Sequence, residues 1–233
     1  MKQILKITVV IAISVLIYSC ATIQPISEEK VEVETVPSKE TVVEEVVQQP
    51  TVEPVLVGYK VKFPFYVYKD RFSKENNYIP SGWMGDYGDI KLNENWTQNP
   101  KEGTSCIRIE YSAKRSQGQG WAGIYWQNPA NNWGNVKGGF DLRGAKKLVF
   151  YARGEKGGEI CEFKMGGIRG EYSDSDTATT GVVRLTKGWK KYTIDLKDLD
   201  LSYISGGFCC VITANDNPDG AIIYLDEIVY TTE

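Results

Sequence analysis

From residue 58 onward the chain is predicted to be all-β, a two-sheet β-sandwich laid out as a jelly roll. Two observations carry this. Nine short runs of apolar, aromatic and β-branched residues recur between clusters of Gly, Asn and Asp. No segment sustains a 3.6-residue apolar period over the length of a helix. Short strands closed by glycine-rich turns bury their apolar faces most simply as two packed layers.

In chain order the runs are 60–68, 105–111, 122–126, 147–153, 159–165, 182–185, 189–196, 207–213 and 221–230. Period-two alternation is plain in three of them. In 105–111, Ile107, Ile109 and Tyr111 face one way and Arg108 and Glu110 the other. In 159–165, Cys161, Phe163 and Met165 oppose Glu162 and Lys164. In 189–196, Tyr192, Ile194 and Leu196 oppose Thr193 and Asp195. The inward faces predict a core of Ile107, Ile109, Phe150, Phe163, Tyr192, Ile194, Phe208 and Leu225. On the 122–126 strand, extended back to Trp121, Trp121 and Tyr125 share one face and Trp126 takes the other.

All six Trp and all seven Phe lie after residue 60, so the core belongs to one domain, 58–233, long enough to bury it. The chain has no His, which removes His-based triads and proton shuttles. Cys106, Cys161, Cys209 and Cys210 sit within strand runs rather than loops, as small buried side chains do. One or two disulfides are the alternative, given the oxidising setting argued next.

The N-terminus places the protein outside the cytoplasm. Lys2 and Lys6 flank the start of an apolar run, Ile7 to Ile17, too short to span a bilayer and of signal-peptide length. It ends in Ile17-Tyr18-Ser19-Cys20, which resembles the lipobox of bacterial lipoproteins, where the Cys becomes the lipidated N-terminus. Residues 1–20 are therefore expected to be a lipoprotein signal peptide, with Cys20 the lipidation site. The protein would be lipid-anchored in the cell envelope, facing periplasm or exterior. Residues 21–57 read as an acidic, disordered linker, with eight Glu, two Lys and four Pro but no aromatic residue; like-charge repulsion extends such a chain. The domain beyond it is almost neutral and lacks the basic face that nucleic acid requires.

The C-terminal third carries a more specific pattern. Trp189, Tyr192, Ile194 and Leu196 form a W-x-x-Y-x-I-x-L rhythm. Gly207-Phe208, the turn Asn217-Pro218-Asp219-Gly220 and the strand Tyr224-Leu225-Asp226-Glu227-Ile228 follow. This sequence, with the 147–159 segment, resembles the jelly-roll carbohydrate-binding modules of the galactose-binding-like superfamily over about residues 63–230. The resemblance implies a non-catalytic, glycan-binding domain. It also implies a structural Ca²⁺ held by Asp226 in the last strand and Asp70 after the first, with backbone carbonyls completing an oxygen shell. The alternative for Asp226 is a strand-end carboxylate accepting backbone hydrogen bonds.

Two segments, 80–86 and 118–134, mix rings with amides and glycines. Sugars are bound by rings laid on their C–H faces and by planar amides or charged groups that bond the hydroxyls. The candidate carbohydrate-binding residues are accordingly Trp83, Trp121, Trp126 and Trp133, with Gln127, Asn132 and Arg153 as polar partners. The competing reading is that these rings are sandwich core. No acid/base pair is recognisable, so an enzyme is not expected. The alternatives to a glycan-binding lipoprotein are an adhesion or scaffold lipoprotein that binds protein or cell wall, and a small glycan-active enzyme.

Overall fold

The computed structural model describes residues 55–233. The signal peptide with Cys20, and all but the last three positions of the expected linker, lie outside the described residues. The strands are β1 (Tyr59–Lys60), β2 (Phe65–Tyr68), β3 (Ile79–Gly85), β4 (Ile90–Trp96), β5 (Cys106–Tyr111), β6 (Trp121–Gln127) and β7 (Phe140–Asp141), then β8 (Lys147–Gly154), β9 (Ile160–Gly166), β10 (Thr177–Arg184), β11 (Lys190–Asp195), β12 (Gly206–Thr213) and β13 (Ala221–Thr231).

They form two antiparallel sheets. One runs β10-β9-β12-β6-β3; the other runs β11-β8-β13-β5-β4, with β2 also on β13. β13 pairs with β5 through Ala221–Leu225 and with β2 through Ile228–Tyr230. A bulge between Asp226 and Val229 separates the two stretches. β1 and β7 make a small parallel pair apart from the sheets.

The sheets meet on an aromatic core. Phe150 and Tyr192 come from one sheet, Trp126, Phe163 and Phe208 from the other. Phe150 meets Phe163 at 4.8 Å and Phe208 at 5.1 Å, both edge to face, and Trp126 meets Phe208 at 5.5 Å. Such geometry places positive ring edges on negative ring faces. All eight expected core residues are buried. Cys106, Cys161, Cys209 and Cys210 are buried and free.

The expected strands depart from the observed ones mostly at sheet edges. β3, β4 and the first half of β10 carry no clear strand pattern in the sequence, and all three are edge strands. Edge strands carry polar residues and tolerate Pro and Gly, because one ladder goes unpaired. That describes Pro80, Gly82 and Gly85 in β3, Asn93, Glu94 and Asn95 in β4, and Thr177–Gly181 in β10. The run 60–68 divides into β1 and β2 around Pro64, which has no N–H to give a ladder.

Candidate functional site

The open face of the β10-β9-β12-β6-β3 sheet follows from its register. One row across it reads Gly82, Tyr125, Cys209, Lys164, Thr179; the next reads Met84, Gly123, Val211, Glu162, Val182. Trp121 stands two residues before Gly123 on the same face, opposite Thr213. Rings therefore gather at one end of the face, small residues fill the middle, and polar groups line the far end.

The ring end is rigid. Trp133, on the loop between β6 and β7, packs edge to face against Tyr125 at 6.2 Å and keeps 42% of its surface exposed. Tyr125 Oη donates to the carbonyl of Gly166 at 2.8 Å, across β12. Burial raises the pKa of its phenol far above the ordinary value. The hydroxyl is thus fixed as a neutral donor, and the ring cannot swing. At the polar end Lys164 pairs with Glu162 at 3.0 Å and the Thr179 hydroxyl donates to Glu162 at 2.6 Å. Half-exposed charges held this way offer strong, directional hydrogen bonds to hydroxyl groups.

The structure sorts the sequence candidates. Trp121 and Trp133 reach this face. Trp83 is 40% exposed but pairs with inward-facing Ile124, so it projects at the sheet edge on the other side of β3. Trp126 is fully buried in the core, because alternation turns it away from Trp121 and Tyr125.

Gln127 and Asn132 are also fully buried, and they serve the loop instead. Gln127 Nε2 donates to the Asn132 carbonyl at 2.8 Å, while its Oε1 lies 2.9 Å from the Ser81 hydroxyl. Asn132 Oδ1 accepts from the backbone N–H groups of Gly134 and Val136. The two amides hold the turn that presents Trp133. Arg153 is buried on the opposite sheet, far from these rings in the fold's layering.

Tyr125, Glu162, Lys164 and Thr179 were not singled out as site residues. The alternation in 159–165 does turn Glu162 and Lys164 outward, but only strand order brings Lys164 into line with Tyr125 and Glu162 into the neighbouring row.

Asp70 and Asp226 were expected to hold Ca²⁺. Asp226 accepts backbone N–H groups from Lys101, Glu102 and Glu227. Asp70 accepts from the backbone and hydroxyl of both Thr104 and Ser105. A calcium ion needs six to eight oxygen ligands, and here the lone pairs face donors instead. Among the described residues no three acidic, Cys or His side chains stand together as a metal group. The pair does not fit calcium as built, and its evident work is to pin the 97–105 loop to β13 and the end of β2. Burial raises Asp226 to a pKa of about 6, aided by Asp70 and opposed by the backbone hydrogen bonds. Burial and then the Asp226 charge raise Glu227 to about 7.

A cleft of about 660 Å³ opens at one end of the sandwich, lined by Lys91, Lys114, Glu159 and Asp219 among others. It holds none of the exposed tryptophans.

No family model matches the chain, and no curated protein matches it. Solved structures do. A family 30 carbohydrate-binding module superposes with a TM-score of 0.52 and 20% identity, over 76% of this chain and 91% of that one. The family 30 module of the cellulosomal cellulase Cel9D-Cel44B of Clostridium thermocellum gives a TM-score of 0.50 and 18% identity, over 74% and 99%. With the two antiparallel sheets and the core between them, these likenesses show that the chain has the jelly-roll fold of carbohydrate-binding modules.

Proposed function

We propose that this protein binds a glycan without altering it, on the open face of the β10-β9-β12-β6-β3 sheet, and does so while anchored to a bacterial membrane through lipid on Cys20. The observation that carries the reading is the locked ring pair Tyr125–Trp133, in one row with Lys164 and Thr179, with Glu162 in the next row and Trp121 further along the same face of β6. Rings offer stacking area with little rotamer entropy to lose, and the polar end bonds sugar hydroxyls. The fold shared with carbohydrate-binding modules supports this choice, although a fold alone hosts many functions.

A shallow face buries little area, so the affinity is on the order of 10⁻⁵ to 10⁻³ M. The test is calorimetry of the protein with a panel of neutral oligosaccharides, repeated on Trp133→Ala and Lys164→Met. Each variant should weaken binding by roughly tenfold or more while melting close to the wild type. If no oligosaccharide binds, or if both folded variants bind as well as the wild type, the face is not a glycan site. The adhesion or scaffold reading then takes its place.

A further inference from the structure

We propose a second ligand site on the opposite sheet, where Arg153 recognises a carboxylate such as that of an acidic, uronate-type sugar. It does not rest on the glycan face described above. Arg153 is 8% exposed and its side chain donates no hydrogen bond to any described residue; its Nε is buried without a partner. A guanidinium has five donors in a planar fork. Burying it with no hydrogen-bond partner costs free energy that a closely held ligand would recover.

The surroundings are shaped for such a partner. Outward residues of neighbouring strands lie level with one another, with Arg108 of β5 and Arg153 of β8 flanking Tyr224 of β13. The Arg153 guanidinium lies 3.7 Å from the centre of the Tyr224 ring and 5.3 Å from that of Trp189. Arg108 lies 4.7 Å from the Trp96 ring and donates through Nε to Tyr224 Oη at 3.3 Å. Stacked arginines keep their in-plane N–H groups free for a ligand.

Glu155 shows what that ligand should carry. It is the one acid paired with Arg153, at 3.8 Å, beyond hydrogen-bond length, and its side chain is half exposed. It also accepts the Tyr224 hydroxyl at 2.8 Å. Glu155 is therefore a loosely held internal carboxylate that an incoming one can displace, meeting the Arg153 fork and the Tyr224 hydroxyl together. Lys191, opposite Tyr151, adds positive charge nearby, whereas Lys101, over the Tyr151 ring at 4.7 Å, is paired with Glu102. The other acids on this face are engaged: Glu110 by Arg108 and Asp226 by the 97–105 loop. Half-buried Trp96 and Trp189 frame the arginines and offer rings to a sugar.

The experiment is calorimetric titration of the full chain in detergent with oligogalacturonate and with its methyl ester. The acid should bind about tenfold or more tightly than the ester, since only the acid pairs bidentately with the guanidinium. Arg153→Lys, which keeps charge but loses the fork, should weaken the acid by about tenfold. Glu155→Gln, at a half-exposed position, should strengthen it severalfold by removing the internal competitor. Equal binding of acid and ester, an Arg153→Lys variant that binds like wild type, or no binding by either wild type or Glu155→Gln overturns the proposal. Should Arg153→Lys fail to fold, the Glu155→Gln result decides. Arg153 lies on the other sheet from Trp133, so losing this site leaves neutral-glycan binding at Trp133 as a separate result.

Discussion

Two tryptophans seven positions apart do opposite work. Trp126 is enclosed by Phe208 and its neighbours, whereas Trp133 is half exposed against Tyr125. Trp126→Ala should cost about 3–5 kcal/mol through lost burial and a residual cavity, read as a lower urea midpoint. Trp133→Ala should leave that midpoint nearly unchanged and remove glycan binding. The carboxylates at the β13 bulge give the second prediction at this scale. Asp226 and Glu227 have folded pKa values of about 6 and about 7, above their unfolded values because burial penalises their charged forms. The folded state thus binds more protons than the unfolded state over this range, and stability falls as pH rises through it. The melting temperature should climb from about pH 8 down to about pH 5. It should climb less in Glu227→Gln, which cannot titrate. A melting temperature that drops on the same acidification contradicts the assignment. Asp70 and Asp86 carry the opposite sign: hydrogen bonds hold their pKa values low despite burial, so their contribution is lost only at more acidic pH.

Among the elements, the loop between β6 and β7 matters most, because it sets where Trp133 stands. Gln127 and Asn132 brace it from within, and Gly134 seats it from outside. Gly134 has φ +81°, and a Cβ there would come within 2.3 Å of the Arg169 carbonyl oxygen. Gly134→Ala combines left-handed strain with a backbone collision, costing about 1–3 kcal/mol locally. The expected result is a displaced Trp133, seen as altered tryptophan fluorescence, with glycan affinity reduced by about tenfold and a smaller change in global unfolding. An unaltered spectrum would show that this contact does not position the ring. The elements also show what the sequence could convey. Central strands with two covered ladders and one buried face alternate strongly, so β5 and β9 are visible at once; β11 lies at an edge but alternates as clearly because Tyr192 and Ile194 face the core. β3, β4 and the start of β10 are edges, where solvent relaxes the pattern. Asn132 looked like a sugar ligand because a loop amide has the same chemistry whether it bonds a hydroxyl or its own backbone.

For the whole molecule, the sandwich carries the proposed site, and the segments before it are expected to fix its location. If Cys20 is lipidated as proposed, two or more acyl chains would anchor stably where one would bind only marginally. Cys20→Ala should therefore move the protein from the membrane to the soluble fraction; a variant still sedimenting with membranes after signal cleavage contradicts the anchor. The sequence by itself determined the all-β class, the inward set Ile107, Ile109, Phe150, Phe163 and Phe208, and the opposed faces of Trp121 and Trp126. These follow from a period of two, a property of neighbouring residues. Strand order was decided only in three dimensions. It placed Lys164 and Thr179 in one row with Tyr125, removed Trp83 to the edge, and set Arg153 on the far sheet between Tyr224 and Trp189. Such neighbours are brought together by pairing between segments distant in the chain, and no local pattern encodes which segments pair.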